Sequence, residues 1–171
     1  NPKFIFTVGC PSLDALLYAK ELPRAELEEK TGLRIEDPFI IIIHHTVTTE
    51  VNEVSAHMKA VLDAVKEIGI QALLLYPNND AGAHAVIKEV EGTHILRMRT
   101  LSIEEYGNLL RHAKALVGNS SSGIHETASF HVPTVNIGNR QDGRLRPDNV
   151  IDTPNDKEEI KRGIEKALYD E

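Results

Sequence analysis

The feature that most restricts the fold of this chain is a run of five consecutive apolar residues, Phe39–Ile43. A strand with one solvated face alternates apolar and polar residues, whereas a short continuous run predicts a strand buried on both faces. Together with His44, the run predicts a strand over residues 39–44. Strands of this kind occur in parallel sheets that helices cover on each side, so the run favours an α/β fold.

Other strand candidates alternate along the chain with segments of helical spacing. The strand candidates are Phe4–Val8, Ile70–Tyr76, His94–Met98, Ala115–Val117, Thr134–Ile137 and Asn149–Ile151. Apolar residues between Val51 and Ile68 recur on one face of a helix. Ser102 and Glu105 form a capping box, and a final helix is predicted from about Asn155. The alternation predicts a Rossmann-like parallel sheet with helices on both faces.

Length and charge exclude several classes of protein. The 171 residues predict one domain over residues 1–171, and the absence of a first Met indicates a part of a longer protein. With 19 Lys and Arg against 26 Asp and Glu, the net charge of −7 argues against a nucleic-acid partner. The longest apolar run is far too short to span a membrane. A single cysteine, Cys10, cannot form an internal disulfide, which favours a cytoplasmic location, and we expect it to pack as a small apolar residue.

The segment Gly118–Glu126 joins a short strand to a helix through glycine and serine residues. Small side chains let a ligand approach the backbone, and the first N–H groups of a helix together with three hydroxyls offer donors to a phosphate. The alternative is a serine-rich helix cap that binds nothing. The dinucleotide fingerprint and the P-loop lysine are both absent, which excludes those two common phosphate sites.

Glu126 lies one turn beyond Ser122 and on the same helical face. Its carboxylate can accept hydrogen bonds from a pair of sugar hydroxyls beside a phosphate, and the alternative is a solvated helical glutamate. His44 and His45 end the most apolar strand, so one imidazole is expected at the ligand-facing edge, where it can pair with phosphate or move a proton. The alternative is a structural histidine. Adjacent strand residues point to opposite faces, so no metal site is predicted.

Two further loops lie at the same predicted edge. Asn78–Gly82 follows a strand and is either a simple turn or part of a site. Gly138–Asp148, rich in Gly, Asn, Asp and Arg, predicts a long surface loop. Within its segment Arg140–Arg144, the two arginines Arg140 and Arg144 can clamp an anion, although surface arginines need no such explanation.

Four segments occur in an order and at a spacing that match one known family. They are His45–Glu50, Tyr76–Gly82, Gly118–Gly123 with Glu126, and Val135–Arg144. Together they resemble the hydrolysing UDP-N-acetylglucosamine 2-epimerases over nearly the whole chain. Non-hydrolysing epimerases of this fold typically have His-Arg-Arg-Glu where this chain has His-Thr-Val-Thr from His45, and Thr-Glu-Arg-Pro-Glu where it has Arg-Gln-Asp-Gly-Arg from Arg140.

The resemblance implies one half of a glycosyltransferase-B-type two-domain architecture. This chain is similar to the C-terminal, UDP-binding half, and the N-terminal domain that supplies the family's carboxylate acid and base is absent. The implied partners are UDP, a UDP-amino-sugar substrate and the missing domain, in an intact enzyme that is a homo-oligomer. The resemblance implies no cofactor and no metal.

Residue by residue, the resemblance implies that Ser120 and Ser121 hold the diphosphate and that Glu126 holds the ribose hydroxyls. It places His45 at the diphosphate with a part in catalysis. These assignments agree with the lysine-free phosphate site that the serine segment predicts on its own.

The same resemblance places Asn78 and the backbone near Leu101 at the uracil and Arg140 close to the nucleotide. The implied reaction removes the sugar C2 proton, eliminates UDP in the anti sense and hydrates the resulting glycal, giving UDP and an N-acetylmannosamine-type sugar. The residues leave open whether the substrate is UDP-N-acetylglucosamine or a diacetamido relative. Two alternative functions are half of a UDP-sugar glycosyltransferase and a non-catalytic UDP-binding or assembly module.

Overall fold

The computed structural model describes residues 2–6 and 8–169, and its centre is a six-stranded parallel sheet. The strands are β1 (Phe39–Ile43), β2 (Gln71–Leu75), β3 (Leu96–Met98), β4 (Ala115–Gly118), β5 (Thr134–Ile137) and β6 (Val150–Thr153). Their order across the sheet is β3-β2-β1-β4-β5-β6. Neighbouring pairs are all parallel, for example Ile42 beside Leu74 on one side and beside Val117 on the other.

Helices connect most of the strands. They are α1 (Pro11–Leu17), α2 (Arg24–Thr31), α3 (Val54–Ile68), α4 (Ala83–Glu91), α5 (Ile103–His112), α6 (Ser122–His125) and α7 (Lys157–Tyr169). Short 3-10 helices span Pro2–Phe4 and Thr127–Phe130. The predicted capping box is present, because Ser102 and Glu105 each accept the other's backbone N–H at the start of α5. None of the helices in residues 2–6 and 8–169 has the length and apolar character needed to cross a membrane.

Side chains of β1 alternate between two apolar layers. Ile40 and Ile42 pack into the layer that α3, α4 and α7 cover. Phe39, Ile41 and Ile43 pack on the opposite face, where α2 and α5 contribute their leucines. All five side chains of the strand are buried. The prediction of a parallel sheet with helices on both faces is confirmed.

The direction in which successive strands are added to the sheet reverses between β1 and β4. From β1 the sheet grows through β2 and β3 on one side and through β4, β5 and β6 on the other. Loops that leave a sheet on both sides of such a point open a crevice at the carboxyl ends of the strands. Gly118, the last residue of β4, has a φ of +136°, and a Cβ there would lie 2.1 Å from the carbonyl oxygen of Ile43. The two strand ends therefore approach more closely than any other residue type allows.

Three expectations about particular segments are wrong. The described residues of Phe4–Val8 form no strand: a 3-10 helix covers Pro2–Phe4, the apolar side chains are exposed, and Thr7 lies outside the described residues. The other six predicted strands are present, with ends within two residues of the predicted ones. Strict alternation also fails, because β5 and β6 follow each other with no helix between them. Cys10 is exposed rather than packed.

Candidate functional site

The loops after β1 and β4 are joined by a pair of side-chain hydrogen bonds at the crevice. The Oδ1 atom of Asn119 accepts the backbone N–H of His45 at 2.7 Å, and its Nδ2 donates to the His45 carbonyl oxygen at 2.8 Å. Both residues are buried, so these two bonds satisfy backbone groups that water cannot reach. Asn119 thus fixes the backbone that carries the His45 ring.

The His45 ring is neutral and accepts one hydrogen bond. Its Nδ1 accepts the backbone N–H of Asn78 at 3.2 Å, which joins the loop after β2 to the same site. Burial lowers the pKa of His45 to about 4, the nearby Arg140 charge acts in the same direction, and Asp80 opposes it. Because Nδ1 accepts, the ring proton of the neutral imidazole lies on Nε2. His45 can therefore donate a hydrogen bond from Nε2 at neutral pH.

The loop after β5 closes on the loop after β4. Arg140 donates from Nη1 to the carbonyl oxygen of Asn119 at 3.2 Å, and Gln141 donates from Nε2 to the same oxygen at 2.7 Å. Arg140 also lines a polar cavity of about 460 Å³ with Asp80 and residues 46–49. This arrangement places the Arg140 guanidinium against the backbone of Asn119, directly before the serine segment. Arg144 is directed elsewhere, with its Nη1 2.7 Å from His125 Nε2.

The serine segment differs from the expected helix start. α6 is a single turn, so it has too few aligned peptides to contribute a large dipole. Ser120 Oγ accepts the N–H of Ser122 at 3.3 Å, and the Ser120 carbonyl accepts the N–H of Gly123 at 3.2 Å. Among residues 2–6 and 8–169, the N–H groups of Ser120 and Ser121 find no acceptor. Two adjacent backbone N–H groups of this segment are therefore unpaired among the described residues.

A cavity of about 370 Å³ lies between this segment and the loop after β3. Leu101, Ser120 and Glu126 all line it, so the structure brings these three predicted residues together. The other four expected residues lie outside its lining. His45 and Arg140 line two neighbouring cavities, Ser121 is half-buried at the start of α6, and Asn78 is exposed and contacts His45 through its backbone. The volume is within the range of small-molecule sites.

One of the three serine hydroxyls is already committed to another side chain. Ser122 Oγ donates to the Oε2 atom of Glu126 at 2.5 Å. The expectation that all three hydroxyls serve as phosphate donors is therefore wrong, because a hydroxyl has one proton to donate. The expectation that Glu126 shares a face with Ser122 is confirmed by this contact.

His44 follows β1 and lines a very small cavity together with His45 and His57. It is buried, and its Nδ1 has no hydrogen-bond partner among the described residues. Burial lowers the pKa of His44 to about 3, and the positive charge of Arg140 acts in the same direction. Of the two adjacent histidines, His45 is the one whose ring contacts the loop after β2.

Three residues of the site were not singled out by sequence reasoning. Asn119 carried a detectable signal, because it is a polar residue directly after a strand at the predicted ligand edge. Gln141 is buried within the predicted surface loop, and its composition offered no sign of this. Tyr106 lines the cavity, but its helical spacing identified it only as an apolar position on α5. Within the described ranges, no three or more His, Cys, Asp or Glu side chains are grouped so as to hold a metal ion.

Comparison with known proteins gives a family for this arrangement. The family model for UDP-N-acetylglucosamine 2-epimerase matches residues 1–171. The chain is 34% identical over 168 residues to UDP-N,N'-diacetylbacillosamine 2-epimerase (hydrolyzing) from Legionella pneumophila, covering 96% of this chain and 45% of that protein. It is 30% identical to UDP-N-acetylglucosamine 2-epimerase from Neisseria meningitidis, covering 96% of this chain and 44% of that protein.

The fold agrees with this comparison. The solved structure of UDP-GlcNAc 2-epimerase from Methanocaldococcus jannaschii matches with a TM-score of 0.69 at 17% identity, over 100% of this chain and 51% of that chain. The present fold is therefore one half of the glycosyltransferase-B-type architecture, and the chain spans about half the length of the proteins it matches. The chain belongs to the UDP-N-acetylglucosamine 2-epimerase family.

Proposed function

We propose that this chain is the C-terminal, UDP-binding half of a hydrolysing UDP-N-acetylglucosamine 2-epimerase. The observation that carries the proposal is the pair of available N–H groups at Ser120 and Ser121, beside a nucleoside-sized cavity and next to Arg140 and a neutral His45. An anion held by backbone donors and one guanidinium needs no P-loop lysine. The family membership supports the choice of UDP as that anion.

The nucleotide would lie across the carboxyl ends of β1 and β4. In this arrangement Ser120, Ser121 and Arg140 hold the diphosphate. Glu126 accepts the ribose hydroxyls at the edge of the cavity of about 370 Å³. The uracil enters the cavity near Leu101, and Asn78, in the loop that contacts His45, would reach the uracil from outside the cavity lining. Each part of UDP thus meets a group of matching chemistry.

His45 would assist departure of the diphosphate. As a neutral imidazole with its proton on Nε2, it donates a hydrogen bond without adding a full charge. When the bond between sugar C1 and the UDP oxygen breaks, negative charge grows on the diphosphate, and the Nε2–H and Arg140 stabilise it. His45 is therefore the catalytic residue that this chain contributes.

The proposed reaction balances in two steps. A base removes the C2 proton of the sugar, the C1–C2 double bond forms, and UDP leaves with the electron pair of its bond to C1. The glycal then takes a proton at C2 on the opposite face, while a water molecule bonds to C1 through its oxygen and gives up one proton, so that an N-acetylmannosamine-type sugar forms. The acid and base for these proton transfers belong to the other domain of the intact enzyme, which we expect to be a cytoplasmic homo-oligomer.

The hydrolysing branch is supported by the residues after His45. Thr46, Val47 and Thr48 stand where non-hydrolysing relatives typically have two arginines and a glutamate. They line the polar cavity of about 460 Å³ beside Arg140, where a sugar attached to the diphosphate would lie. Both UDP-N-acetylglucosamine and a UDP-diacetamido sugar fit this proposal as substrates. Two similar proteins are named as 2-epimerases of these two kinds of UDP-sugar.

Calorimetry on the 171-residue chain tests the nucleotide assignment. We expect UDP to bind, UMP to bind more weakly because it has lost one phosphate, and ADP to bind less well than UDP. Absence of heat at millimolar UDP would contradict the proposal, and preference for ADP would favour a glycosyltransferase of another nucleotide class.

Turnover is tested on the intact two-domain protein. Proton NMR should show UDP and an N-acetylmannosamine-type sugar in equal amounts, with the C2 proton exchanged for deuterium in heavy water. The isolated chain should be silent, because a second domain supplies the acid and base. UDP binding without turnover by the intact protein would favour the binding or assembly module instead.

A further inference from the structure

Three side chains form a continuous hydrogen-bonded chain along one wall of the cavity of about 370 Å³. The phenol oxygen of Tyr106 contacts Ser122 Oγ, and Ser122 Oγ contacts Glu126 Oε2 at 2.5 Å. Tyr106, Ser122 and Glu126 all line the cavity. These two hydrogen bonds therefore link helix α5 to the Glu126 carboxylate at the end of α6.

The direction of the protons in this chain follows from their number. An ionised carboxylate only accepts, so Ser122 must give its single hydroxyl proton to Glu126. Ser122 can then only accept from Tyr106, and the Tyr106 hydroxyl donates. The order Tyr106 to Ser122 to Glu126 leaves the second carboxylate oxygen, Oε1, with no hydrogen-bond partner among the described residues.

Local structure holds the donor end of the chain. The capping box of Ser102 and Glu105 starts α5, and Lys30, a residue of α2, forms an ion pair with Glu105. The Tyr106 N–H donates to the Ser102 carbonyl at 2.9 Å, which places Tyr106 one turn into the helix. Burial raises the pKa of Tyr106 above its usual range, and the charge of Glu126 adds to this, so the phenol keeps its proton.

We propose that Tyr106 and Ser122 are positioning residues that orient the Glu126 carboxylate toward the ribose of the bound nucleotide. The inference rests on the proposed function, since it assigns the support of the residue that holds the ribose. With Oε2 tied to Ser122, Glu126 presents Oε1 in one orientation to the 2'-hydroxyl. Successive hydrogen bonds also polarise one another, so the bond from the Tyr106 phenol strengthens the bond from Ser122 to the Glu126 carboxylate.

Binding of UDP and 2'-deoxy-UDP by the 171-residue chain tests this. The parent chain should prefer UDP. Tyr106→Phe removes one oxygen and keeps the ring, and it should weaken UDP about fivefold while leaving 2'-deoxy-UDP and pyrophosphate almost unchanged. Ser122→Ala should have the same selective effect. Tyr169→Phe, at an exposed position on α7, is the matched control and should change none of the three affinities.

An unchanged preference for UDP over 2'-deoxy-UDP in both variants would overturn the inference while leaving the proposed function standing. A parent chain that binds no UDP would contradict the proposed function and this inference together. A second readout needs no ligand: the loss of Tm in Tyr106→Phe/Glu126→Gln should be smaller than the sum of the two single losses. Additive losses would show that the three side chains do not act as one chain.

Discussion

Asn119 pairs with both backbone polar groups of His45, accepting its N–H at 2.7 Å and donating to its carbonyl oxygen at 2.8 Å. These bonds lie between β1 and β4, where the order of strands in the sheet reverses. They join two loops that are 74 residues apart in sequence. The carbonyl of Asn119 in turn accepts from Arg140 and Gln141. One asparagine therefore ties together the loops after β1, β4 and β5.

Asn119→Ala should destabilise the protein by about 2–4 kcal/mol, because two buried backbone groups of His45 lose their partners at about 1–3 kcal/mol each. Urea unfolding followed by circular dichroism measures the change. Asn79→Ala, in an exposed turn, is the control and should lie within about 0.5 kcal/mol of the parent. Equal effects of the two substitutions would show that the asparagine does not hold the strand ends.

Gly118→Ala should prevent folding or cost more than about 3 kcal/mol. Its φ of +136° is unfavourable for alanine, and the new Cβ would lie 2.1 Å from the Ile43 carbonyl oxygen, which belongs to the sheet and cannot move away. Gly92→Ala provides the comparison, since Gly92 has a helical φ and its nearest neighbour would be 3.5 Å from the Cβ. A Gly118→Ala protein with the Tm of the parent would mean that β1 and β4 are further apart than described.

Ser120→Ala and Glu126→Ala should separate the two ends of the nucleotide. Loss of one hydroxyl to a charged phosphate costs about 1.5–3 kcal/mol, so Ser120→Ala should weaken UDP and pyrophosphate and spare uridine. The backbone N–H donors survive, so binding should not be abolished. Glu126→Ala should weaken UDP and uridine alike, while pyrophosphate binds as well or better because a nearby negative charge is gone. Calorimetry with the three ligands measures the pattern.

The pattern of losses separates lost contacts from structural damage. If both variants lose all three ligands equally, the start of α6 is damaged. If neither variant changes the affinity for UDP, the serine segment is only a cap and the site assignment fails.

Stability should fall as the pH is lowered from about 6.5 toward 4. The folded protein keeps His44 and His45 neutral, with pKa values of about 3 and about 4, whereas both take up protons near pH 6.5 when the chain unfolds. Well above pH 6.5, where both folded and unfolded forms are neutral, they contribute no pH dependence. Below it the unfolded state binds more protons, so the free energy of unfolding should drop by about 2–4 kcal/mol between pH 7 and pH 5.

His44→Gln should remove about half of this pH dependence, measured by urea unfolding at several pH values above 5. The carboxylates of Glu67 and Glu105 do not interfere there, because hydrogen bonds from lysine side chains lower their pKa values and move their contribution below pH 4.5. His112, whose pKa is lowered mainly by burial, adds a smaller effect in the same direction. His84→Gln, at an exposed position of α4, is the control and should retain the slope of the parent. A His44→Gln slope equal to that of the parent would contradict the burial of a neutral His44.

Local patterns were enough to predict most of the framework. Phe39–Ile43 is buried on both faces as its continuous apolar character indicates, and Ser102 caps α5 because its partner Glu105 is only three residues away. The position of the site could also be predicted, since any parallel sheet gathers its strand-following loops at one edge. The His44–His45 pair, Ser120 and Glu126 were singled out from the residues in this way, whereas the choice of His45 for the site came from the family resemblance and stays a prediction.

Only tertiary structure decided which side chains are available at that edge. The segment Phe4–Val8 has the composition of a strand, but its described residues pair with no neighbour, and strand formation requires one. Ser122 looked like a phosphate donor until Tyr106 and Glu126 were seen on either side of its hydroxyl. The sequence determined burial and helix starts, which depend on neighbours a few residues away. The fold decided partners such as Asn119 with His45, because a hydrogen bond across 74 residues depends on how the strands are ordered in the sheet.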